Sequence, residues 1–114
     1  MTKERLVEII KSIDITYDEG ITKDKNKNVY PRVVLWEYYW EPLTASNQEY
    51  DTNTNVTYQI SFLSNISRDK ELLKLRKLLA ENKVFPNISH EYVEKDKCWH
   101  SYFSVEVLEK IEWI

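Results

Sequence analysis

The sequence predicts an α+β domain in two layers, an antiparallel sheet of about four strands in two hairpins packed against two helices. Three observations carry that prediction. Two segments repeat aliphatic residues at helical spacing, a proline-bracketed aromatic run and an alternating run follow the first of them, and two more strand-like runs follow the second. The predicted order is therefore helix, hairpin, helix, hairpin. With 114 residues, 42% hydrophobic and 31% charged, the chain is expected to form one domain, 1–114, around one core.

Residues 3 to 13 place Leu6, Ile10 and Ile13 on one helical face, with Thr2 positioned as the cap. From Asp14 to Tyr30 the chain turns polar and carries its single glycine, Gly20, so a mobile loop is expected there. Ile13 to Tyr17 offer a short additional strand as the alternative. Pro31 and Pro42 bracket Val33 to Trp40, a β-branched and aromatic run whose ends the prolines define because proline cannot donate to a ladder. A polar connection, 44–55, leads to Val56, Tyr58, Ile60 and Phe62, which alternate with Thr57, Gln59 and Ser61 as in a half-buried strand.

The second helix is expected from Ser67, as N-cap, to about Asn82. Leu72, Leu75, Leu78 and Leu79 form its core stripe, and Lys70, Lys74 and Lys77 face water. The last third reads as a hairpin. A two-residue Asp96-Lys97 turn would set Ile88 opposite Val105, His90 opposite Phe103 and Tyr92 opposite Ser101, a longer loop being the alternative. Trp99, Phe103, Val105 and Val107 then share the buried face.

Composition removes most chemistry. The lone Cys98 allows no internal disulfide and suits a reducing compartment, so the three Asn-X-Ser/Thr sequons at Asn55, Asn65 and Asn87 read as chance matches. No apolar run is long enough for a membrane span, and residues 1–11 lack the pattern of a signal peptide. A net charge of −3 provides no broad field for phosphates, so sequence-specific nucleic acid binding is not expected, and Lys23, Lys25 and Lys27 read as a solvated loop. One glycine rules out glycine-rich phosphate loops, and with them nucleotide cofactors. Cys98 with His100 is the single nucleophile and base pair close in sequence, but it sits at a tight turn without oxyanion donors. His90 reads as a hydrogen-bonded sheet residue on the opposite face from His100, so no metal site is expected. Glu37 and Glu41, about 13 Å apart on one strand face, are too far apart for a glycosidase pair and read as charges guarding a sheet edge. The expectation is no catalytic residue, no cofactor and no enzyme.

What remains is aromatic surface. In regular alternation Trp36, Tyr38 and Trp40 share one strand face and Leu35, Glu37 and Tyr39 the other, while Tyr50 and Trp113 lie outside regular elements. These side chains either fill the core or form a protein interface, where Trp and Tyr are enriched. The candidate interface comprises Trp36, Tyr39, Trp40 and Tyr50, with Asp51, Thr52 and Asn53 from the polar connection.

The order of elements, with Tyr30-Pro31-Arg32-Val33-Val34, the acidic-polar loop ending in Asp51-Thr52-Asn53, the alternating Thr57 to Phe62, and the final strand Trp99 to Glu106, resembles the tail terminator and head-tail joining proteins of long-tailed bacteriophages. The likeness covers nearly the whole chain as element order and loose pattern. It implies a structural virion-assembly protein that closes into a ring, hexameric in that family, ends the tail tube, and meets tail-tube and head-connector proteins. It also implies residence in the virion, after assembly in the host cytoplasm. The resemblance does not separate tail termination from tail completion or head closure. The alternative is a small regulatory or inhibitor protein of a mobile element that binds one cytoplasmic protein.

Overall fold

A computed structural model describes residues 1–43 and 53–111 of the chain. The elements are α1 (Lys3–Lys11), β1 (Thr16–Glu19), a short 3-10 turn (Asp24–Asn26), β2 (Arg32–Pro42), β3 (Asn53–Ser64), α2 (Lys70–Glu81), β4 (Ser89–Val93) and β5 (Cys98–Lys110). The fold is α+β as expected. The sheet, however, has five strands rather than four, in the order β1-β2-β3-β5-β4.

The fifth strand is β1, which lies parallel to β2 and makes the sheet mixed. Its sequence, Thr-Tyr-Asp-Glu, sets two strand-forming residues before two that strands disfavour, and it overlaps the short strand offered over 13–17 by two residues. It is held by tertiary bonding. The Gly20 amide donates to the Leu35 carbonyl (2.8 Å). The buried Asp18 carboxylate accepts from the Lys23 amide (3.2 Å) and from the Asn26 amide side chain (3.0 and 3.1 Å). The parallel pairing requires a long crossover, and residues 20–31, expected to be a mobile loop, supply it. Gly20 opens the crossover at φ +87, a conformation that suits only glycine readily.

The helices start and stop for local reasons. Thr2 Oγ1 accepts from the Arg5 amide at 3.1 Å and caps α1 as expected. The cap of α2 is Asp69 and not Ser67. Arg68 takes φ +53, which no helix continues, and Asp69 Oδ1 accepts the Glu71 amide at 2.8 Å. At its other end α2 closes in a Schellman motif, with the Val84 amide bonded to Leu79 O and the Lys83 amide to Ala80 O.

Both helices cover one face of the sheet. Leu6, Ile9 and Ile10 of α1 and Leu72, Leu75 and Leu79 of α2 pack on Val33, Leu35, Val56, Tyr58, Ile60, Phe62, Phe103, Val105 and Val107. The register puts these sheet residues opposite one another: Val33 faces Phe62, Leu35 faces Ile60, Ile60 faces Phe103 and Val56 faces Val107. The alternation in β3 and β5 therefore carries the core, as their sequences predict.

Two register expectations need correction. The β4–β5 hairpin turns through four residues, 94–97, with Lys97 at φ +50, so that Val93 faces Cys98, His90 faces Ser101 and Tyr92 faces Trp99. A two-residue turn at Asp96-Lys97 would need positive φ at two side-chain-bearing positions. The slip from the expected pairing is two residues, so every side chain keeps its face. In β2 a bulge at Tyr38 interrupts the ladder, since Glu37 faces Tyr58 but Tyr39 faces Thr57. An inserted residue reverses the alternation beyond it. Trp36 and Tyr39 consequently share the face turned away from the helices, Trp40 lies on the helix-covered face, and Glu37 and Glu41 lie on opposite faces.

Candidate interaction surface

Outside the span of its short partners the sheet continues as an arm. β1 pairs only with Arg32–Leu35, and β4 only with Cys98–Tyr102. The remaining lengths of β2, β3 and β5 make a three-stranded ribbon, and among the described residues its two outer edges have no strand neighbour.

Aromatic residues cluster on this arm. Tyr38 is 61% exposed, Tyr39 57% and Trp40 50%, while Trp36 is half-buried and meets Tyr38 edge to face at 5.9 Å between ring centroids. Leu43 and Leu108 extend the same exposed apolar surface. Exposed aromatic side chains grouped in this way mark contact surfaces more often than isolated ones do. The pairing explains why Tyr39 and Trp40 remain exposed. They stand near the end of the ladder, opposite Thr57 and Val56, and the bulge exchanges the faces that regular alternation would give them. Trp40 is oriented by an indole hydrogen bond to Glu37 Oε2 at 3.2 Å.

The same end of the molecule is acidic. Lys3 Nζ lies 2.6 Å from Glu19 Oε1 and over the Tyr58 ring. Its hydrogen bond to Glu19 raises the ammonium pKa above the ordinary value, against partial desolvation and with added fields from Glu109 and Glu37. Tyr58 donates its hydroxyl to Glu109 Oε2 at 2.5 Å, and burial first, then Glu109, holds that hydroxyl protonated well above its usual range. One lysine thus serves three carboxylates, which leaves the base of the arm with a net negative field.

Of the residues the sequence singles out, Trp36, Tyr39, Trp40 and Asn53 belong to the arm, Asn53 opening β3 opposite Lys110. Tyr50, Asp51, Thr52 and Trp113 lie outside the described residues. The candidate interface drawn from the sequence omits Tyr38 and Leu108, and the bulge at Tyr38 carries no glycine or turn signal that would reveal it.

The other candidates do not converge into a site. Cys98 is fully buried, and His100 directs Nδ1 to Glu91 Oε1 (3.0 Å) while its ring stacks on Tyr102. His90 shares a hydrogen bond with Ser101 Oγ at 2.7 Å on the opposite face, in keeping with a hydrogen-bonded sheet histidine. Among the described residues no group of three or more His, Cys, Asp or Glu side chains is arranged to hold a metal ion. No helix among them is long and apolar enough to cross a membrane. Comparison with protein-family models yields no match, and no curated protein matches the sequence.

Proposed function

We propose that this chain is a structural assembly subunit of a long-tailed phage or prophage, acting in a ring that ends the tail tube or joins the tail to the head. The observation that supports this reading is the arm, whose exposed Tyr38, Tyr39 and Trp40 project from a hydrogen-bonded three-stranded ladder. Such a surface suits protein packing, since Tyr and Trp lose few rotamers when they are covered. The element order adds the likeness to tail terminators, and the net charge of −3 suits a ring that lets DNA pass without gripping it.

The test is co-sedimentation and negative-stain microscopy of the purified chain with tail tubes of the same phage. The expected result is density at one end of each tube and arrested tube growth. The paired variant Tyr39→Ala/Trp40→Ala is expected to fold normally and to lose tube binding. Tubes that stay bare and keep growing at high concentrations of the chain would sink the proposal. Recovery of a single stoichiometric cytoplasmic partner would then favour the regulatory alternative.

A further inference from the structure

A cleft of about 720 Å³ lies between α2 and β4, lined among others by Arg68, Leu72, Leu73, Arg76, Ile88 and His90. Its volume falls in the range of roughly 300–1,000 Å³ typical of pockets that take up a ligand or a few side chains. Arg68 and Arg76 have no ion-pair partner among the described residues, although the chain carries an excess of carboxylates. The nearby acids do not offset them. Asp69 is buried against Ser64 and the Glu71 amide, and Glu71 is buried against the Asp14 amide and Lys74. An adjoining hollow brings Lys77 and Phe85, and Phe85 is 75% exposed. This corner of the molecule is therefore cationic and apolar.

The opposite corner is anionic and aromatic. Trp40 and Glu41 pair with Val56 and Asn55, whereas His90 is level with Ser101 and Phe62. Six residues of β3 separate those levels, about 20 Å, and β3 and β5 stand between β2 and β4. The two surfaces cannot meet within one chain. We infer that they meet between chains, with the outer β2 edge of one copy's arm, which has no strand neighbour among the described residues and carries Glu37 and Trp40 on one face and Tyr39 and Glu41 on the other, seated edge-on in the Arg68–Arg76 cleft of the next. Guanidinium groups provide a fork for carboxylates, and the apolar walls formed by Leu72, Leu73 and Ile88 cover aromatic rings. Different patches meeting head to tail make a heterologous contact, the kind that closes rings. The inference rests on the ring part of the proposed function and is independent of what the ring binds.

Sedimentation velocity of the full chain across a concentration series tests it, using two charge reversals, Arg68→Glu/Arg76→Glu and Glu37→Lys/Glu41→Lys. The wild type is expected to associate, less at high ionic strength. Each reversal alone juxtaposes like charges and is expected to weaken association by about tenfold or more. Mixing the two variants restores both contacts, as does placing all four substitutions in one chain. That rescue separates a lost contact from a lost fold, and circular dichroism of each variant checks directly that the fold is kept. A wild type that stays monomeric, reversals that associate like the wild type, or a mixture that fails to recover would each overturn the inference. Association without tube binding would leave it standing and remove the phage role instead.

Discussion

At the scale of single residues, the buried polar side chains around the start of α2 carry the most readable chemistry. Ser64 Oγ donates to Asp69 Oδ2 at 2.7 Å and accepts the Ile66 amide at 3.2 Å. Removing the hydroxyl leaves a buried carboxylate oxygen short of a donor, so Ser64→Ala is expected to cost about 1–3 kcal/mol. A lower urea midpoint at unchanged slope is the readout. Glu71 adds a pH dependence. The Asp14 amide, 2.9 Å from Oε1, holds its carboxyl pKa below the ordinary 4.5, with Lys74 assisting against desolvation. A carboxyl whose pKa is depressed on folding contributes stability above its unfolded pKa, and that contribution disappears as the pH falls through the folded value. Urea midpoints measured from neutral to acid pH should therefore fall more steeply for the wild type below about pH 4.5 than for Glu71→Gln. Parallel acid limbs for the two proteins would refute that role.

Among the elements, α2 ends in a way that leaves room for improvement. Its Schellman motif is complete in hydrogen bonds, yet the left-handed position is held by Lys83 at φ +65. A side chain there is strained by its Cβ, and glycine is the usual occupant. Lys83→Gly is expected to stabilise the chain by about 0.5–1 kcal/mol, and Lys83→Val to destabilise it, as read from thermal midpoints. The bulge in β2 has the larger functional consequence. By inserting Tyr38 it exchanges the faces of Tyr39 and Trp40, bringing Tyr39 to the face of Trp36 and Trp40 to the face of Glu37, whose carboxylate accepts its indole hydrogen bond.

The whole molecule is long for its size, with extents of 52 × 31 × 22 Å, and the polarity of its charges follows the sheet diagonal. Acidic and aromatic groups gather where β2 and β5 outrun their short neighbours, and cationic groups gather beside β4. At this scale the salt dependence of association is the discriminating prediction. A contact built on Glu37 and Glu41 against Arg68 and Arg76 weakens with ionic strength, whereas an edge-to-edge sheet contact held by backbone hydrogen bonds does not. Sedimentation in low and high salt distinguishes the two directly.

Sequence by itself determined the fold class, both helices, and the core faces of β3 and β5, because periods of 3.6 and 2 are written in the order of apolar residues. It also singled out Tyr39 and Trp40. For β1 the residues offered a strand only as an alternative over 13–17; only the tertiary structure decided that it runs through Asp18 and Glu19, which strands disfavour and which Asp18's hydrogen bonds and the β2 backbone hold in place. The same holds for the bulge, the hairpin register and the Arg68–Arg76 cleft. A cleft joins residues from separate elements, and no local period records which residues folding will bring together.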